Sequence, residues 1–378
     1  MIHSFTFKNF YSFSGENTVS FVVNNKAPKN NGYFLTPNKT RLSKIEAVIG
    51  ANASGKTNLL KILPFLKWLI IDSFNANPDA PLPVQTFALS KLNSEPIELC
   101  VEFEIGKDVF TYCFIIDQDK ILTEELKIIN ITKQKATAKT LFSRKWIEKE
   151  EEYSFSGSKF QLPKNFQNLL RKNASVVGTA MRLNHKLSQN IGKYWQKVET
   201  NVNEAGWIGD RLATNATQNL LEAFDFYSDN PEIKKAAEKL LARFDLGLEE
   251  FNITRKKKED EISLKIEGIH IFDGMKCSLP FQYESAGTKQ LFVLLKTILY
   301  VLANGGVAVL DEFDVNLHPD MILALYELFI SPETNPNNAQ IIFSSHSHRI
   351  LNELDKYQII FTEKNEKGAS ESWRLDDM

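Results

Sequence analysis

The stretch Gly50-Ala51-Asn52-Ala53-Ser54-Gly55-Lys56-Thr57 fits the pattern G-x-x-x-x-G-K-[ST]. Before it, Ile45 to Ile49 is a short apolar strand. After it, Thr57 to Phe74 reads as a helix, with Pro64 a kink or early break. Strand, glycine loop and helix in that order are the context the pattern requires. The glycines let the backbone curl so that its N–H groups face a phosphate, and the start of the helix adds partial positive charge there. Lys56 is positioned to reach the β- and γ-phosphates of a nucleotide. Thr57 is the expected hydroxyl ligand of Mg²⁺. Gly50, Asn52, Ala53, Ser54, Gly55 and Asn58 make up the rest of the expected phosphate-binding turn.

Working outward, Val307-Ala308-Val309-Leu310-Asp311-Glu312 is a buried-strand pattern with two carboxylates at its C-terminal end. Ligand sites of α/β sheets lie at that end. Asp311 is the candidate to hold Mg²⁺, and Glu312 the candidate general base for water. Glu284-Ser285-Ala286-Gly287-Thr288-Lys289-Gln290 precedes an apolar helix, and read alone it describes a helix capped by Ser285. Ile341 to Ser345 is another apolar strand running into His346. Read alone, such a His is an ordinary surface or core residue.

The elements between these motifs fall into three parts. Ile2 to Val23 and Ile97 to Ile131 read as strands, the latter an antiparallel meander. Thr132 to Lys172 is charged and irregular, and Asn173 to Leu248 reads mainly helical. From Phe281 onward, helix and strand alternate as in a parallel α/β sheet. The expected division is therefore 1–131, a mainly helical insertion at 132–250, and 251–378.

Bulk properties narrow the class. Of the 378 residues, 43% are hydrophobic and 24% charged, which suits a globular protein with a sizeable core. A net charge of −2 does not mark the whole molecule as a nucleic-acid binder. Arg255 to Lys258 and the lysines from Lys127 to Lys145 could track phosphates, or form a solvated face offset by Glu259, Asp260 and Glu261. Cys100, Cys113 and Cys277 form no C-x-x-C pair and read as thiols in a reducing cytoplasm. The N-terminus has no signal-peptide pattern. Leu291 to Leu310 is long enough to span a membrane, but Lys296, Asn304, Gly305 and Gly306 interrupt it, so it reads as a buried helix and strand.

The order of the motifs resembles the ABC-type ATPases. In that resemblance Gly50–Thr57 is the Walker A loop, Asp311 and Glu312 end the Walker B strand, and His346 is the switch histidine. Ser285 and Gly287 stand in a divergent signature loop, lacking its Leu and first Gly, which the family presents to ATP held by a partner subunit. Asp314 occupies the D-loop at the dimer interface. Gln85 is the only candidate for the Q-loop ligand of the metal, and reads equally as a linker glutamine. The resemblance implies an α/β ABC-ATPase head with N-terminal antiparallel strands, ATP and Mg²⁺ as ligands, and a homodimer or higher homo-oligomer.

Lys56 and Ser285 are about 230 positions apart. That long insertion, with the opening Phe5-Thr6-Phe7-Lys8-Asn9-Phe10-Tyr11-Ser12-Phe13, is similar to the RecF, SMC and OLD-nuclease branch. Within it, Gly50–Leu60, Tyr112–Leu126, Leu240–Leu248, Glu284–Leu291 and Asp311–Pro319 resemble AAA-family ATPase subunits of bacterial anti-phage and abortive-infection systems. The resemblance implies a cytoplasmic sensor or motor that controls a separate nuclease or toxin. Met378 follows soon after the last strand, so the nuclease domain of OLD-type proteins is not expected here. The alternative it leaves open is a RecF- or SMC-like ATPase of DNA repair or chromosome processing, in contact with DNA or RNA.

Overall fold

A computed structural model describes residues 1–88, 95–131, 136–202, 216–244, 248–258, 261–314, 317–346 and 348–377. The chain opens with β1 (Ile2–Lys8) and β2 (Asn17–Ser20), then the small hairpin β3 (Tyr33–Leu35) and β4 (Arg41–Ser43). The strand β5 (Ile45–Gly50) leads into α1 (Lys56–Leu60) and α2 (Ile62–Lys67), continued by a π turn at Trp68–Asp72 and a 3-10 turn at Ser73–Asn75. The expected single helix is thus broken at Lys61. Pro64 lacks an N–H and its ring collides with the carbonyl four residues back, so it is accommodated within the first turn of α2.

A meander follows: β6 (Ile97–Ile105), β7 (Asp108–Ile116), β8 (Ile121–Ile131), β9 (Ala136–Ile147) and β10 (Glu152–Ser156). Next come α3 (Val176–Arg182), α4 (Lys186–Trp195), the short β11 (Val198–Thr200), α5 (Ala216–Asp229) and α6 (Pro231–Phe244). The strands β12 (Leu248–Lys258), β13 (Glu261–Phe272) and β14 (Met275–Pro280) form a three-stranded sheet. The chain closes with α7 (Ala286–Asn304), β15 (Val307–Leu310), α8 (Pro319–Ile330), β16 (Gln340–Ser344), α9 (His348–Leu351), β17 (Ile359–Lys364) and β18 (Ser370–Arg374).

Two large sheets organise the molecule. One is antiparallel, in the order β10-β9-β8-β7-β6-β1-β2. The other has the order β11-β15-β16-β5-β17-β18 and is parallel except for β18. Strand alternation divides the second sheet between two cores. Val48, Val307, Val309, Ile342 and Ile360 point into the core shared with the antiparallel sheet and α2 to α4. Ile45, Ala47, Ala308, Leu310, Ile341 and Phe343 point into the core shared with α5 to α8. Each fully buried Phe or Leu in these layers contributes roughly 2–3 kcal/mol of transfer free energy.

Two expectations need correction. Residues 132–172 are not simply irregular: β9 and β10 extend the antiparallel sheet. The inward row of β9 runs Phe142, Arg144, Trp146, and the buried arginine interrupts the apolar alternation that would have marked a strand. The cysteines also differ. Cys100 and Cys113 are direct cross-strand partners of β6 and β7, and their sulfurs are bonded at 2.02 Å. Only Cys277, which is exposed, is a free thiol. The helix α7 is long and apolar enough to cross a membrane by composition, but half of its apolar window is buried inside the protein, where Phe292, Leu295 and Ile298 are fully covered.

Candidate nucleotide site

The strand β5 delivers the glycine loop to the C-terminal edge of the parallel sheet, where β15 and β16 also end. The loop needs its glycines. A Cβ on Gly50 would lie 2.3 Å from the Thr362 carbonyl oxygen. Gly55 has φ +115°, and a Cβ there would lie 2.5 Å from Ser370 Oγ. Ser54 is buried, its hydroxyl 2.7 Å from that of Thr362, which ties the loop to β17. Lys56 folds back on the turn, donating to Gly50 O at 2.8 Å and Ala51 O at 3.0 Å. Burial holds its ammonium below the ordinary lysine pKa, against the opposing pull of Asp311, Glu312 and Asp314.

A cleft of about 710 Å³ lies over this edge, lined by Ser12, Lys364, the loop residues Asn52, Ala53, Gly55 and Lys56, and Thr57 and Asn58 of α1. Asp311, Glu312 and His346 close its other side. Thr57 Oγ1 donates to Asp311 Oδ2 at 2.7 Å, and Ser344 Oγ donates to Asp311 Oδ1 at 2.5 Å. The Ser344 hydroxyl also accepts from Glu312 N at 2.8 Å. One serine therefore aligns both acidic residues. Glu312 itself has φ +49°, a left-handed conformation that costs a non-glycine residue about 1–3 kcal/mol and is retained where the surroundings fix it.

Asp311 is held from a second direction. Asn201, just past β11, accepts from Asp311 N at 2.7 Å and donates to Asp311 O at 3.0 Å. The main chain of Asn201 adds a bond to Val309 O at 3.3 Å. Lys67 of α2 in turn binds Val198 O at 2.6 Å and Glu199 at 3.4 Å. Replacing Asn201 by Ala removes two hydrogen bonds of the Asp311 main chain that stand open to solvent, and costs about 0.5–1.5 kcal/mol for each. Urea denaturation followed by fluorescence should therefore show a small loss of stability in the Ala variant.

The other candidate residues lie as follows. Asp314 accepts from His346 N at 2.9 Å, linking the turn after β15 to the end of β16. Ser285 caps α7, its hydroxyl accepting from Thr288 N at 3.0 Å, and it is exposed. Neither Ser285 nor Gly287 lines the cleft of its own chain. Gln85 lies apart from the cleft wall. Its side chain is exposed and absent from the cleft wall, and its carbonyl accepts from Tyr11 N at 2.9 Å. The side chain that reaches the Asp311 segment from the neighbouring strand is that of Asn201. Ser12, from the opening Phe5–Phe13 stretch, and Lys364 line the cleft, and Ser344 braces its acidic pair; no motif marks Lys364 or Ser344 for these positions. The side chains of Arg255 to Lys258 and of Glu261, and the residues Glu259 and Asp260, lie outside the described residues. Lys127 is paired with Glu125 at 2.6 Å.

A glycine loop, a buried cation and an Asp-Glu pair converging at the edge of a mostly parallel sheet define a P-loop nucleotide-binding α/β protein. The chain belongs to the AAA-domain family described as "AAA domain, putative AbiEii toxin, Type IV TA system", whose model matches residues 45–352. Among solved structures, an SMC head bound to the C-terminal winged-helix domain of ScpA is 14% identical, with a TM-score of 0.49 over 100% of this chain and 98% of that one. The SMC head domain from Thermotoga maritima is 13% identical, with a TM-score of 0.43 over 99% and 98%. A third SMC head, with an extended coiled coil and bound to the C-terminal domain of ScpA derived from Pyrococcus furiosus, scores 0.44 at 13% identity over 100% and 97%. A comparison with curated proteins finds no match.

Proposed function

We propose that this chain is an ATP-hydrolysing switch, the sensor or motor subunit of a bacterial anti-phage defence complex that controls a separate effector. The observation that carries the enzymatic part is the hydrogen-bonded row Thr57–Asp311–Ser344–Glu312 beside Lys56 in one cleft. The defence part is supported by the toxin–antitoxin description of the family.

Thr57 Oγ1 and the Asp311 carboxylate are adjacent hard oxygen donors, a set that suits Mg²⁺. When bound, that ion would supply positive charge to the phosphate oxygens. Lys56 binds the β- and γ-phosphates. Glu312 takes a proton from the attacking water as its oxygen bonds to the γ-phosphorus, and the bond to the β-phosphate oxygen breaks to release ADP. His346 orients that water. Ser285 and Gly287 are offered to the nucleotide of a second copy, a reading supported by the exposure of Ser285 and by the position of both outside the chain's own cleft. Two copies then enclose two ATP molecules.

The test is a pull-down of tagged Glu312→Gln protein from its native host, with bound proteins identified by mass spectrometry. The expected result is a stoichiometric partner carrying nuclease or other toxic chemistry. Recovery of replication or repair proteins, or of DNA alone, would overturn the defence assignment in favour of chromosome processing.

A further inference from the structure

The strand order gives the cleft two distinguishable ends. β15 and β16, which carry Asp311, Glu312 and His346, lie on one side of β5, and β17 lies on the other. Lys364 is the last residue of β17 and lines the same cleft. Hydrolysis requires the γ-phosphate at the Glu312 end, so the nucleoside must extend across β5 toward β17. The groups waiting there are polar. Asn58 donates to Ser12 Oγ at 3.0 Å, and Ser12 Oγ is 2.9 Å from the hydroxyl of Ser370, the register partner of Lys364. Among the described residues, the Lys364 ammonium makes no hydrogen bond or ion pair, whereas Lys56 spends its own on two carbonyls.

We infer that Lys364 is a nucleotide-affinity residue that takes the α-phosphate, beside Asn58 and Ser12. The inference rests on the ATP-binding reading above. Because the α-phosphate is common to ATP and ADP, the contribution is the same for both. It contributes to binding in the ground state and the transition state equally, so its loss falls on KM rather than on kcat. Lys364 is exposed, so its contact is screened and its removal is expected to cost about tenfold in affinity, shrinking as salt is raised.

The experiment measures the affinity of the full chain for fluorescent ATP and ADP analogues, comparing the original protein with Lys364→Ala, Lys364→Arg and Lys56→Ala. The expected pattern is a loss of about tenfold for both nucleotides in Lys364→Ala and recovery of most of it in Lys364→Arg. A loss confined to ATP would put Lys364 at the γ-phosphate and overturn the inference, as would unchanged affinity for both. Failure of the original protein to bind either nucleotide, or undiminished binding by Lys56→Ala, would instead remove the nucleotide reading on which the inference stands.

Discussion

Glu312→Gln protein should bind ATP and turn it over about 10²–10⁴-fold more slowly than the original, the range associated with loss of a general base. The amide is nearly the same size as the carboxylate, and the main chain at Glu312 is fixed by Ser344 and by its left-handed φ, so the cleft should keep its shape. What disappears is the acceptor for the proton of water. With hydrolysis blocked, the ATP-bound sandwich should accumulate. Light scattering should then report a mass near twice that of one chain with ATP and near one chain without it. Turnover that is insensitive to the substitution would show that Glu312 is not the base. A mass indifferent to ATP would remove support for closure of two copies around the nucleotide.

The second large effect concerns stability. Arg144 and Glu124 are both completely buried, 2.7 Å apart, between the antiparallel sheet and α3. Arg144 also donates to Arg171 O at 3.1 Å and Ala174 O at 2.6 Å, so much of its alignment goes to main-chain carbonyls. Glu124 accepts from Val176 N at 2.8 Å and from the Tyr112 hydroxyl. Arg144→Ala strands a buried carboxylate and two carbonyls, and should lower the free energy of unfolding by about 3–5 kcal/mol. Urea denaturation followed by fluorescence checks this. Arg144→Met combined with Glu124→Leu should recover much of the loss, because two apolar chains of similar volume leave no unpaired charge. If the double variant is no better than Arg144→Ala, the cost lies in the carbonyl contacts rather than in the stranded charge.

The readable parts of this protein are those where local sequence carries the whole signal. The glycine loop announces itself because Gly50 and Gly55 are needed for close backbone approach, with an apolar strand before them and a helix start after. Asp311 and Glu312 end a four-residue apolar strand for a similar reason. The residues that escape such reading depend on long-range register. β11 has three residues, one of them Glu199, and only its parallel pairing with β15 brings Asn201 to Asp311. Lys364 enters the cleft because β17 pairs beside β5, and nothing in Thr362-Glu363-Lys364-Asn365 marks it. Cys100 and Cys113 are 13 positions apart, and it is the β6–β7 register that sets them face to face. Gln85 stands out by residue type alone, and type does not fix where a loop runs.

The order of the central sheet also bears on how the protein is made. The glycine loop emerges early in synthesis, yet the groups that shape it arrive late. Thr57 lies 254 positions before Asp311, and Ser54 lies 308 before Thr362. At roughly 5–20 residues per second, a growing chain exposes β5 for about 15–60 s before both of its neighbouring strands exist. During that interval the apolar Ile45–Ile49 run has no partners and is a natural client for a chaperone. A chain interrupted before α7 carries the loop but neither Asp311 nor Thr362, the groups that hold Thr57 and Ser54 in place.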